Sequence, residues 1–84
     1  MNSKHLKTLS AIFANPVNGA LEWARIEALL VALECEVVEG RGSAVMFVKN
    51  GVKLRTHRPH PNKETLRYRI ILARDFLQKI EAVP

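Results

Sequence analysis

The sequence has too few cysteines for the disulfides that stabilise small secreted domains. It also lacks the long apolar runs of membrane proteins. Its single cysteine, Cys35, excludes an internal disulfide and is typical of a reducing compartment. No apolar run approaches the roughly 18 residues of a membrane helix. The N-terminal stretch MNSKHLKTLSAIFANP spreads lysines among apolar residues, as an amphipathic helix does and a signal peptide does not. We therefore expect a cytoplasmic protein that does not enter a membrane.

Cofactor-binding signatures are also scarce. The glycines of GRGS are too few and too close for a phosphate-binding loop. The three histidines and Cys35 lack metal-ligand spacing, so we expect no metal and no cofactor. Aromatic residues make up 6% of the chain. Trp23 begins a helical pattern, which favours a place in the core over a role in stacking on bases.

Positive charge is abundant, and it is concentrated in the second half. Three basic and five acidic residues precede Gly40, whereas ten basic and three acidic residues follow it. A one-sided basic surface favours a polyanionic partner, because contacts with phosphates release counterions. The alternative is a solvated basic face without a partner.

Three segments have helical periodicity in this chain, whose 84 residues suit one domain. Leu6, Leu9 and Phe13 predict a first helix that is capped by Asn2 or Ser3 and ends before Asn15-Pro16. A second helix is expected over about 23–33. A third is expected over about 65–80, with Asn62 or Thr65 as its cap and an apolar stripe formed by Leu66, Ile70, Ala73, Leu77 and Ile80.

Between the second and third helices the pattern changes to strands. CEVVEG predicts a short strand, and AVMFVKNGVKLRTH predicts a hairpin, because Asn50-Gly51 is the strongest two-residue signal for a type I′ turn. In that register His57 faces Ala44. One sheet face then carries Val45, Phe47 and Leu54, and the other carries Lys53, Arg55 and His57. The order α-α-β-β-β-α predicts an α+β fold, a three-stranded antiparallel sheet with helices on one face.

These pieces together resemble the HicA toxins of bacterial toxin–antitoxin pairs. The matching segments are IEALLVALECEVVEGRGS, the hairpin, and HRPHPNKETLRYRIILARDFL, about residues 21–80 in all. The resemblance implies a single HicA-like domain over residues 1–84, in which residues 1–20 are an N-terminal helical extension. It implies a fold like the double-stranded-RNA-binding domain, ribosome-independent cleavage of messenger RNA, and neutralisation by a HicB antitoxin.

One position departs from the family. HicA toxins usually carry their catalytic histidine one or two residues after Gly-Ser, where this chain has Ala44 and Val45. Three explanations fit the sequence. Another histidine does the chemistry in a divergent branch, or the toxin has lost its activity, or Ala44 is an engineered substitution that allows a lethal protein to be expressed.

The stretch THRPHPNKE contains the candidate replacements. RNA cleavage without a metal needs a base, an acid and cations that stabilise the phosphorane, and histidine can be base or acid near neutral pH. His57 lies across from Ala44 on the basic face and is the first candidate. His60 matches the family's His-Pro element and is a second candidate, although a histidine between two prolines can simply shape a loop. We expect RNA contacts from Arg41, Ser43, Lys53, Arg55, Arg58, Lys63 and Arg67.

Two functions from different classes stay open at this point. One is an endoribonuclease that acts on messenger RNA, and the other is an inactive module of the same fold that binds RNA or only its antitoxin. A basic DNA-binding protein is a weaker third alternative, because no helix-turn-helix spacing supports it.

Overall fold

The computed structural model describes residues 2–59 and 65–84, and its element order is the predicted α-α-β-β-β-α. The predicted α+β class is thereby confirmed. The elements are α1 (Ser3–Ile12), α2 (Trp23–Ala32), β1 (Glu36–Glu39), β2 (Ala44–Lys49), β3 (Val52–His57) and α3 (Arg67–Lys79). None of the helices in the described residues is long and apolar enough to cross a membrane.

The β2–β3 hairpin has the register that its turn predicts. Asn50 and Gly51 both have positive φ, 52° and 78°, as a type I′ turn requires. The Cα partners run from Lys49↔Val52 at the turn to Ala44↔His57 at the open end. Because side chains alternate along a strand, this register decides which residues of β3 face the helices and which face away from them.

The sheet has the order β1-β2-β3, and both pairs of strands are antiparallel. Its inner face contributes Val45, Phe47 and Leu54 to the buried core, and the Trp23 ring of α2 lies 6.1 Å from the Phe47 ring. The outer face carries Val38, Ala44, Met46 and Val48 together with Lys53, Arg55 and His57, and no described helix packs on it. The described part of the chain therefore forms two layers with one open sheet face.

Helix α1 is capped as predicted, and two of the three apolar residues that predicted it pack against the core. The Asn2 Oδ1 atom accepts a hydrogen bond of 2.9 Å from the backbone N–H of His5. The buried residues are Thr8, Leu9 and Ile12, and Phe13 packs against the core, so Leu6, which is exposed, is the one member of the Leu6–Leu9–Phe13 pattern that lies outside it. Thr8 can be buried because its hydroxyl donates to the Lys4 carbonyl, four residues earlier.

Helix α3 begins later than its apolar pattern predicts. Its N-cap is Leu66, which is exposed and offers no side-chain hydrogen bond, so Thr65 is not the cap; Asn62 lies outside the described residues. The rest of the predicted stripe, Ile70, Ala73, Leu77 and Ile80, is buried, and Phe76 joins it. The tertiary packing thus begins one turn after the sequence pattern does.

Candidate functional site

The outer face of the sheet contains a cleft of about 410 Å³ at the open end of the hairpin. Its floor is mostly apolar and comes from all three strands. Charged and polar groups stand at its rim. Among the lining residues are Val38, Ala44, Met46, Arg55 and His57. The cleft is thus a concave surface with a few polar groups, as small binding sites usually are.

His57 and Ser43 meet at the rim of this cleft. His57 is the last residue of β3, and the Ser43 Oγ atom lies 3.2 Å from its Nδ1 atom. If the Ser43 hydroxyl donates to Nδ1, the ring proton sits on Nε2; if Nδ1–H donates to Ser43, Nε2 is free to accept a proton. The pair therefore orients the imidazole while Nε2 can act as a donor or as an acceptor.

The loop between β1 and β2 is built tightly enough to hold Ser43 in place. The N–H of Gly40 donates to the Ala44 carbonyl over 2.9 Å, and Gly42 has a φ of +57°. A Cβ atom at Gly40 would lie 2.9 Å from the Cβ of Ala44, which is too close for any other residue without a backbone shift. Just after β3, the backbone N–H of Arg58 donates to the Ser43 carbonyl over 2.8 Å.

Cations follow the same face of β3. Lys53 and Arg55 are exposed at alternate positions before His57, and Arg55 lines the cleft. Arg41 is exposed in the loop that carries Ser43. These three cations can meet the charge of a phosphodiester chain that lies across the cleft.

A family model described as the HicA toxin of bacterial toxin-antitoxin systems matches residues 23–70, which is more than half of the chain. The chain belongs to the HicA toxin family. The match runs from the start of α2, through the whole sheet, into the first turn of α3. No curated protein and no solved structure matches the chain, so the likeness to the double-stranded-RNA-binding domain stays a prediction.

Because the chain belongs to the HicA family, Ala44 is the residue of the site that most needs an explanation. Its methyl group lines the cleft beside Arg55 and His57, and it is the Cα partner of His57 across the hairpin. A methyl group cannot transfer a proton. Of the two histidines proposed as catalysts, His57 is at the cleft, and His60 lies outside the described residues, as does Lys63.

Arg58, which the sequence suggested as an RNA contact, is bound within the protein. Its guanidinium donates to both carboxylate oxygens of Glu27, at 2.8 and 3.0 Å, and to both of Glu39, at 2.6 and 2.9 Å. Glu27 also accepts a hydrogen bond of 2.8 Å from the Trp23 indole. This cluster, which we call the Arg58 clamp, joins α2 and β1 to the end of β3, a geometry that favours a structural role.

The Arg58 clamp also changes the acidity of its members. Hydrogen bonding from Arg58 lowers the pKa of Glu27 below its ordinary value, although partial burial opposes the shift. The same guanidinium lowers the pKa of Glu39. Both carboxylates in turn raise the pKa of Arg58. All three groups are therefore held in their charged forms near neutral pH.

Other basic residues of the second half also serve the fold. Arg74 donates from Nε to the Ile12 carbonyl and from Nη2 to the Ala14 carbonyl, each over 2.9 Å, and so caps the end of α1. Lys49 donates to the Leu33 carbonyl at the end of α2. Arg67 starts α3 beside Gly19 and does not line the cleft. The basic surface available to a partner is therefore smaller than the count of charges suggests.

Alternation along β3 could have revealed the Arg58 clamp from the sequence. Arg58 follows His57 directly, so its side chain points to the helical side of the sheet when His57 points away from it. Arg74 carried no such signal, because its acceptors are backbone carbonyls more than 55 residues away. Among residues 2–59 and 65–84, no three His, Cys, Asp or Glu side chains are grouped so that they could hold a metal ion.

Proposed function

We propose that this HicA-family toxin is an endoribonuclease that cleaves messenger RNA in the cytoplasm without a metal and is neutralised by a HicB-like antitoxin. The observation that carries the proposal is the Ser43–His57 pair at the rim of a cleft that Arg55 also lines. A proton-transfer group, its orienting partner and a cation thus lie together on an open sheet face.

The proposed reaction is a transesterification at a phosphodiester. His57 takes the 2′-hydroxyl proton at Nε2, while Ser43 holds the ring at Nδ1. The 2′-oxygen forms a bond to phosphorus as the bond from phosphorus to the 5′-oxygen breaks. The leaving oxygen is protonated by water or by His60, and Arg55 and Lys53 stabilise the charge on the phosphorane. The products are a 2′,3′-cyclic phosphate and a free 5′-hydroxyl.

The proposed binding surface includes the cations around the cleft and two residues outside it. We assign RNA contacts to Arg41, Ser43, Lys53 and Arg55. Arg67 and Lys63 remain predicted contacts with the flanking RNA. We also propose that residues 1–84 form one HicA-like domain, in which residues 1–20 are an extension.

Ala44 supports a second candidate, an inactive module of the same fold that binds RNA or only the antitoxin. The methyl group stands at the cleft where the family usually has its catalytic histidine. In this alternative, His57 binds substrate but transfers no proton, and the basic face retains its affinity for RNA.

Cleavage assays on three proteins separate the two candidates. The unaltered chain, His57→Ala and Ala44→His are incubated with the same RNA without metal, and the 2′,3′-cyclic phosphate is quantified. We expect His57→Ala to reduce the rate by about 10²–10⁴-fold, the usual contribution of general acid–base catalysis. Undiminished cleavage by His57→Ala would remove His57 from the mechanism. Activity only in Ala44→His would establish the inactive module.

A further inference from the structure

Helix α3 is apolar on two sides, and the core uses only one of them. Ile70, Ala73 and Leu77 are buried, whereas Tyr68, Ile71 and Leu72 keep 56%, 50% and 43% of their surface exposed. The three exposed residues are spaced i, i+3, i+4 and therefore form one stripe, which we call the α3 stripe. Exposed apolar residues that are grouped on one side of a helix and flanked by charged ones mark a surface suited to a partner.

The α3 stripe and the cleft belong to different sides of the domain. The stripe lies on the side of α3 that faces away from the core, and the cleft lies on the sheet face that faces away from the helices. A partner on the stripe therefore need not compete with a substrate in the cleft.

Charge indicates what kind of partner fits the α3 stripe. Arg67 and Arg69 stand beside it at the start of the helix, and Lys79 stands near its end, where it pairs with Asp75 at 3.0 Å. The helix has four basic residues and one acidic residue and is net positive, even when Arg74, which binds the end of α1, is set aside. Two copies of the chain would bring these like charges together, whereas an acidic partner would pair with them.

The chemistry of the stripe also disfavours RNA. Single-stranded RNA is bound by aromatic faces and cations, and two of the three stripe residues are aliphatic. The third, Tyr68, already has the Arg69 guanidinium 5.5 Å from its ring centroid. An aliphatic surface with basic flanks matches an amphipathic helix that has an apolar ridge and acidic flanks.

We propose that the α3 stripe docks an acidic amphipathic helix of the antitoxin, at a surface separate from the cleft. This inference rests on the proposed function, because that function supplies the antitoxin. The antitoxin then contacts two surfaces: α3 provides affinity, and the cleft is where cleavage is blocked. Changes on α3 should weaken the complex and leave the chemistry of the free toxin intact.

The test measures binding of the protein encoded beside the gene for this chain, by calorimetry with purified proteins. The variant is Ile71→Ser with Leu72→Ser, and the matched control is Val31→Ser, which removes an equally exposed apolar side chain from α2. We expect the α3 variant to bind about 10- to 100-fold more weakly, as loss of interface anchors does. The control should bind as the unaltered chain does. Leu72→Ser alone replaces the double variant if thermal melts show that the latter is unfolded.

The outcomes separate the docking surface from the proposed function. Equal binding by the α3 variant and the control would overturn the docking surface and leave the antitoxin pairing intact. No binding by the unaltered chain would overturn the pairing itself, and the docking surface with it. A loss of RNA binding in the α3 variant, or a free dimer that this variant dissociates, would show that the stripe serves RNA or a second copy, and would also overturn the inference.

Discussion

Replacing Arg58 by methionine should lower the stability of the domain more than replacing an exposed arginine such as Arg41. Methionine keeps much of the apolar stem and removes the donors to Glu27 and Glu39. The change removes the side-chain link from α2 and β1 to the end of β3. It also leaves the Glu27 carboxylate with its hydrogen bond from the Trp23 indole but without its cation.

The size of the effect follows from the exposure of the partners. The side chains of Arg58 and Glu27 are 30% and 26% exposed, so solvent screens this half of the Arg58 clamp only partly. Hydrogen bonds to charged groups contribute about 1.5–3 kcal/mol, and screening reduces this to about 1–2 kcal/mol for the Arg58–Glu27 pair. Glu39 is 64% exposed and should matter less. In a domain of this size, the loss corresponds to a Tm lower by about 4–16 °C.

The stability that Glu27 contributes should depend on pH in one direction. Its pKa is lower in the folded state than its ordinary value of 4.5 in the unfolded state. The unfolded chain therefore binds a proton first, and the contribution is fully present above pH 4.5. It is lost as the pH falls through the folded pKa. Between pH 5 and 3 the unaltered chain should lose more stability than Arg58→Met.

Thermal melts followed by circular dichroism at several pH values provide the measurement. Arg41→Met is the control, because the Arg41 side chain forms no ion pair within the described part of the chain. Arg58→Lys tests the geometry, since one ammonium group cannot serve two carboxylates as a planar fork does. If Arg58→Lys has the same Tm as the unaltered chain, the argument from bidentate geometry is refuted. If Arg58→Met has the same Tm as Arg41→Met, the Arg58 clamp does not stabilise the domain.

Three further predictions concern the site and the hairpin. Arg55→Ala should reduce the salt dependence of RNA binding, with a slope smaller in magnitude by about 0.7, measured by fluorescence anisotropy; an unchanged slope would remove Arg55 from the phosphate contacts. Ser43→Ala should alter the pH profile of cleavage more than the affinity for RNA, and an identical profile would refute its role in orienting His57. Gly51→Ala should lower the stability by about 1 kcal/mol, because its φ is +78°, whereas Gly19→Ala should not; equal melting of the two would contradict the assignment of strain.

The hairpin was predictable residue by residue because local chemistry determines it. Asn50-Gly51 selects the turn, the turn sets the pairing, and alternation then places His57 opposite Ala44. Helix α1 was less predictable, since apolar residues occur on two of its sides. In the folded domain the side of α1 that carries Ile12 is buried, and Leu6 is exposed to solvent. Which side is buried depends on the neighbouring helices, which the periodicity of one segment does not contain.

The candidate site was predictable only in part, for a similar reason. The number of basic residues can be counted in the sequence. The sequence does not show which of these side chains bind acceptors within the protein. Arg58 and Lys49 bind a carboxylate pair and a helix terminus, so they are not available to a ligand as Arg55 is. The Ser43–His57 contact joins residues 14 positions apart and required both the hairpin register and the tight loop at Gly40.

The link between Arg74 and the end of α1 has a consequence for how the chain is made. The Arg74 side chain and its Ile12 acceptor are 62 residues apart, and Ile12 is fully buried in the common core. During synthesis, the first helix leaves the ribosome before the helix that completes its packing has been translated. Ile12 and Leu9 can pack against α2 first, but their burial is complete only after α3 has emerged. Helix α1 thus cannot be packed and capped as described until residue 74 has been translated.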